Sequence, residues 1–137
     1  MATLKISDLS VGDWVICNGF KATIAGYNVE SGSIQVLTKQ KNKMWFGIDD
    51  IEPIPITAEI LEKNRLFRHE RDDDNQELIV LSNHFIMART YTDVDWWRVI
   101  IYDEEIPSKE LFNGIIYSVH QLQHALRLAG VDKEINL

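Results

Sequence analysis

Asp13-Trp-Val-Ile-Cys-Asn-Gly-Phe-Lys-Ala-Thr-Ile-Ala25 decides how the first third of this chain folds. Asn18-Gly19 between two β-prone runs is the strongest short hairpin signal, because a two-residue turn of this kind needs positive φ at both positions. The pattern continues outward. In Ser33–Thr38, residues Ile34, Val36 and Thr38 share one face of an alternating strand, with Gly32 and Asn42 marking turns at its ends. Lys43–Ile48 is a further strand, in which Gly47 is expected at a bulge or a close approach. Asp49-Asp50 interrupts, and Ile51–Ile56 resumes extended. Pro53 and Pro55 suit an edge or a linker there.

Five short strands in 1–56 predict a small, strongly bent β-barrel. Its opening, Leu9-Ser-Val-Gly-Asp-Trp-Val15, resembles the L-x-x-G-D-x-V entry of SH3-like barrels, where the glycine makes a tight turn and the first strand follows. At Thr57 the pattern changes. Thr57–Asn64 reads as a short helix, with Thr57 as N-cap, Glu59 in the first turn, Lys63 in the last and Asn64 as the stop. A meander follows: Leu66–Glu70 and Glu77–Ser82 flank a polar tip, and His84–Thr90 and Asp95–Tyr102 flank Thr92-Asp93. The last run is apolar on both faces, so it is expected inside the sheet. Asp103–Gly114 is read as a connection and Ile115-Ile116 as a short terminal strand. The expected fold is therefore α+β, mostly β: an SH3-like barrel over 1–56, then an α+β part over 57–137 whose small antiparallel sheet is packed by a C-terminal helix over 119–129.

That helix carries the most suggestive motif, Ser118-Val-His-Gln-Leu-Gln-His124. His120 and His124 are four apart on one helix face, as in the H-E-x-x-H zinc site, but Gln121 stands where the general-base glutamate belongs. Helix capping explains more of these residues. Ser118 and Gln121 form an S-x-x-Q capping box, Tyr117 and Leu122 hold the staple positions, and Gly130 stands at C′ with Val131 beyond it. At about 100° per residue, Val119, Leu122, Leu126 and Ala129 make the core stripe. His120, His124 and Arg127 fall on the opposite side, facing solvent or a partner, and the helix dipole disfavours a cation at His120.

The remaining chemistry is sparse. Asp72-Asp73-Asp74 lacks the glycine that an EF-hand loop needs at its sixth position, where Glu77 stands, and reads as a solvated tip. Asp103-Glu104-Glu105 reads as a charged loop, since adjacent carboxylates seldom converge on one substrate. Cys17, the one cysteine, sits in an apolar strand and excludes an intramolecular disulfide. Ser10 and Ser82 have no nucleophile-elbow context. There is no phosphate-binding loop and no dinucleotide fingerprint, so no catalytic residue, cofactor or metal is assigned.

Composition bounds the partners. The chain is 45% hydrophobic and 26% charged, enough to bury a core. Its net charge of -7 repels phosphate backbones and anionic membranes unless basic residues are concentrated somewhere; the densest run is Lys39, Lys41 and Lys43. No apolar run approaches the roughly 18 residues of a membrane helix. Met1–Asp8 has no long apolar core or cleavage-like site, so a cytoplasmic protein is expected.

The segments Ile51–Asn64 and Tyr117–Gly130 resemble a family of small proteins encoded by gut Bacteroides-type bacteria and their phages or mobile elements, and the resemblance extends over most of the chain. It implies a small intracellular accessory protein and brings no activity, cofactor or catalytic residues. The family tail pattern V-H-x-L-Q often has Glu in the variable place; this chain has Gln121, and either completes a capping box.

Two classes of function remain beside a hydrolase. The leading expectation is a non-catalytic interaction or accessory module that binds protein through Trp14 and Trp45 or through His120, His124 and Arg127. The alternatives are nucleic-acid binding through the Lys39–Trp45 hairpin, and a metal-binding, hydrolase-like protein using His120 and His124.

Overall fold

The computed structural model describes residues 4–66, 69–71, 76–82, 84–89, 96–106 and 108–137. The acidic tip Asp72–Asp74 and the Thr92-Asp93 turn lie outside them. The chain divides into two compact units, Met1–Ile54 and Pro55–Leu137. Each holds one five-stranded antiparallel sheet, and the second also holds the C-terminal helix.

In the first unit, β1 (Trp14–Cys17), β2 (Phe20–Asn28), β3 (Ser33–Thr38), β4 (Lys43–Gly47) and β5 (Ile51–Glu52) lie in the order β4-β3-β2-β1-β5, curled into a half-barrel. Asn18 (φ +47°) and Gly19 (φ +85°) make the expected turn, closing Cys17 against Phe20. The Gly-Asp entry is held both to β2 and within its own turn. Gly12 (φ +92°) donates its N–H to Ile24 O, and the wholly buried Asp13 carboxylate accepts the Ser10 N–H at 2.7 Å. β2 does not stop at Gly26. It passes through a bulge between Ile24 and Gly26 and runs on to Asn28; a bulge bends a strand without ending it, which suits a curled sheet. Gly47, expected at a bulge or a close approach, instead ends β4 in regular register opposite Ser33 with φ −73°, and a Cβ there would meet only Asp50 Oδ2 at 3.9 Å. The core is the inward phase of the strands: Val15, Cys17, Ala22, Ile24, Ile34, Val36 and Ile51.

In the second unit, α1 (Ala58–Lys63) is capped by Thr57, whose Oγ1 accepts the Ile60 N–H at 3.2 Å. Its end closes as a Schellman turn, with Arg65 N–H donating to Glu62 O and Leu66 N–H to Leu61 O. Arg65 therefore takes φ +59°, the left-handed position that glycine usually fills. The Asn64 side chain donates to Ile60 O (2.8 Å) and Asn136 O (2.9 Å) and accepts the Asn136 N–H (2.7 Å), holding the chain's last residues.

The second sheet is a meander: β6 (His69–Arg71), β7 (Gln76–Ser82), β8 (Phe85–Arg89), β9 (Trp97–Tyr102) and β10 (Glu110–Ile116), in the order β10-β9-β8-β7-β6. β9 is interior, as its two apolar faces required. β10 corrects the expected loop, for it starts five residues before Ile115. Asn113 and Gly114 lie inside the strand. The Phe112 ring lies over Gly114, where a Cβ would stand 2.8 Å from Phe112 Cζ, so a neighbour supplies the missing side chain. On the buried face of β7 and β8, Glu77 opposes Arg89 in register and accepts a hydrogen bond from its Nε. The Arg89 guanidinium also lies 4.5 Å from the centroid of the buried Trp97 ring. Helix α2 (Val119–Leu128) buries Val119, Leu122, Ala125 and Leu126. His84 Nε2, 2.8 Å from Ala129 O, joins the β7–β8 turn to the end of this helix.

Two stability measurements follow. Arg65→Gly removes left-handed strain at a residue whose side chain is exposed, so it should raise unfolding stability by about 1 kcal/mol in urea titration; a loss would contradict this strain. Glu77→Leu removes the buried carboxylate that accepts from Arg89 Nε and should cost about 3–5 kcal/mol. The double variant Glu77→Leu/Arg89→Met should recover most of that loss, and a double variant as unstable as the single would rule out the pair as the cause.

Candidate functional site

Two hairpin turns meet at one end of the half-barrel. Asn18-Gly19 reverses β1 into β2, and Lys39–Asn42 reverses β3 into β4. The pairing of Ala22 with Thr38 sets them side by side. Thr38 builds the second turn: its N–H donates to Asn42 O, its carbonyl accepts the Lys41 N–H, and its Oγ1 accepts the Asn42 N–H at 3.1 Å. That work explains a threonine at a buried, inward position.

Between the turns lies an open cleft of about 490 Å³, lined by Phe20 and Met44, by Lys21 and Lys39, and by the amides Gln40 and Asn42. Phe20 is held by an edge-to-face contact with Phe46, ring centroids 5.9 Å apart. Met44 is 42% exposed although it stands opposite buried Val36, because β4 is the last strand of the sheet. Lys41 stands in the same turn and Lys43 begins β4 directly after it. Such a site can take an apolar group beside an anionic one.

The aromatics expected to act together do not converge. Trp45 is 55% exposed and lies opposite Gln35, on the face away from Met44. Trp14, half-buried opposite Thr23, shares that face, but β2 and β3 stand between their strands. At about 4.8 Å per strand the two indoles are roughly 14 Å apart in the sheet direction, too far for one groove.

The helix pair also differs from expectation. His120 is 3% exposed, not outward. A helical wheel forecasts burial against one layer, but His120 stands in the first turn beside the Pro55–Ser118 bridge and turns Nδ1 to within 3.0 Å of Ser118 Oγ. His124 is half-buried, its ring 5.8 Å from that of His120, and Arg127 is exposed. The three therefore do not make one exposed surface. The capping box is formed: Ser118 Oγ accepts the Gln121 N–H, and Gln121 Oε1 accepts the Ser118 and Tyr117 N–H groups. Gly130 (φ +70°) and Val131 close the other end onto Arg127 O and Leu126 O. Tyr117 is 55% exposed. Among the described residues no three His, Cys, Asp or Glu side chains are grouped to hold a metal.

Asp103 is committed to its own loop. Its Oδ1 accepts the Glu105 and Ile106 N–H groups, and these hydrogen bonds, Ile106 first, hold its carboxyl below the usual range. Phe20, Lys21 and Met44 were not singled out from sequence. Their only signal is phase: Phe20 and Met44 fall on the inward side at the strand ends nearest the two turns.

Burial, and secondarily the Asp50 carboxylate, push the Cys17 thiol up to about 11. The native protein should therefore leave a thiol-specific disulfide reagent unreacted at pH 8, and denaturant should release one thiol. The raised value also means the folded state holds this proton longer than the unfolded one. Stability from this group is complete below the unfolded thiol value near 9 and is lost as pH rises through about 11. In a Cys17→Ala background the slope of stability against pH over that window should flatten; an unchanged slope would discount Cys17 as its source. Comparison with family models, curated proteins and solved structures yields no match to this chain.

Proposed function

We propose that this chain is a non-catalytic interaction module that binds a protein partner through its N-terminal half-barrel. It would be an accessory protein of the phage or mobile-element kind that Ile51–Asn64 and Tyr117–Gly130 imply by resemblance. The observation that carries the reading is the open cleft in which Phe20 and Met44 meet Lys21 and Lys39. Exposed apolar side chains beside fixed polar groups are what peptide-binding grooves offer. The strand order β4-β3-β2-β1-β5, with a 3-10 turn at Ile48–Asp50 leading into β5, supports the SH3-like reading of the Leu9–Val15 entry.

The lysine turn with exposed Trp45 favours one second reading, single-stranded nucleic acid held by charge and stacking. The net charge of -7 weighs against it. A peptide-display selection on the immobilised full chain should enrich ligands whose binding falls at least about tenfold on Met44→Glu. Enriched ligands indifferent to Met44→Glu would remove the cleft from the proposal. A salt-dependent gel shift with oligothymidine, abolished by Trp45→Ala, would favour the second reading instead.

A further inference from the structure

We propose that the outer edge of β4 receives an extended acidic segment of the partner protein as an added strand; this rests on the interaction-module reading above. β4 ends its sheet, and no strand pairs with its outer side among the described residues. Lys43, Met44 and Trp45 are all exposed. Such an edge presents unpaired N–H and C=O groups to an extended chain.

Charge selects the occupant. Trp14–Ile48 carries Lys21, Lys39, Lys41 and Lys43 against a single acid, Glu30. The other residues hold ten Lys or Arg and twenty Asp or Glu. Three of these lysines, Lys39, Lys41 and Lys43, stand in the β3–β4 turn and at the start of β4, so this end of the edge is cationic, while Asp49 and Asp50 follow the strand's far end. Edge lysines are a usual device against pairing with a second copy. A nucleic acid would meet the same lysines but carries a charge on every residue, twice the density of an alternating segment, towards a molecule otherwise strongly negative.

The side-chain phase specifies the ligand further. A strand added to β4 points alternate residues to opposite faces. One set falls on the Met44 side, where the cleft accepts apolar groups. The other falls on the Trp45 and Lys43 side, where carboxylates find cations. The preferred segment therefore alternates apolar residues with Asp or Glu.

Fluorescence anisotropy with labelled ten-residue peptides on the full chain tests this. An alternating Glu-Val peptide should bind, weaken as salt rises, and lose at least about tenfold in affinity to Lys39→Glu/Lys43→Glu. Lys109→Glu/Lys133→Glu should change nothing. Methylating the backbone nitrogens that face β4 should abolish binding, since added-strand recognition needs them. Circular dichroism should show each variant folded. A Ser-Val peptide that binds as tightly, indifferent to the lysine reversals, would overturn the acidic segment yet leave the interaction module standing. Failure of every peptide would overturn both. Tighter binding of oligothymidine to the same lysines would overturn the inference in favour of nucleic acid. Self-association abolished by Lys39→Glu/Lys43→Glu would overturn it in favour of a second copy.

Discussion

The closure of Cys17 on Phe20 over Asn18-Gly19 sets the phase of the first unit. Strand side chains alternate, so one turn decides which residues of β1 and β2 enter the core. With two residues in the turn, Val15 and Cys17 face inward with Ala22 and Ile24, and all four are buried. A slip of one residue would bury Trp14, Ile16 and Lys21 in their place. The bulge between Ile24 and Gly26 then resets the alternation, and Ile34, Val36 and Thr38 continue the same layer on β3. The cleft is a consequence of this phase. Phe20 and Met44 are inward residues at the open end of the half-barrel, where the core face runs past its last buried row. Their exposed apolar surface is thus built in by the same alternation that makes the core.

The second unit depends on a different constraint. Its sheet places an ion pair, Glu77–Arg89, on the buried face instead of two apolar side chains. Burying such a pair adds little stability, yet separating its members is costly. Because the two residues are direct cross-strand partners, a shift of β7 against β8 would separate them. The pair therefore favours one register, with the Arg89–Trp97 contact carrying the same preference to β9. At the helix, capping does comparable work. Ser118, Gln121 and Gly130 fix both ends of α2, and Asn64 and His84 tie the neighbouring tail and turn by hydrogen bonds to backbone.

What could be read from the sequence was what local chemistry dictates. The Asn18-Gly19 hairpin, the Thr57 cap, the S-x-x-Q box and the Gly130 closure each depend on residues within six positions of one another. Alternation was nearly as legible, and it placed β9 inside its sheet. What was not legible depends on a distant or unusual partner. β10 was hidden because Gly114 borrows its side chain from Phe112. His120 was placed outward because the wheel sees one packing layer, whereas the first turn also stands beside the Pro55–Ser118 bridge. Phe20, Lys21 and Met44 join the candidate site only because two turns far apart in sequence share one end of a curled sheet.

That last point bears on how charge and topology combine. Lys21 and Lys39 are separated by eighteen positions, and nothing in their local sequence links them. The Ala22–Thr38 pairing brings their turns together, and β4, following directly, presents Lys43 on the sheet's outermost strand. A chain with a net charge of -7 gains nothing for its own folding by assembling like charges at one corner. Lysines there do protect an exposed edge from pairing with its own kind. Protection alone is satisfied by one or two charges on the strand itself. It does not account for an apolar cleft beside them, nor for a run from Trp14 to Ile48 with Glu30 as its one acid. Repulsion of like copies and the proposed attraction of an acidic strand would follow from one arrangement, and the second would also use Phe20 and Met44.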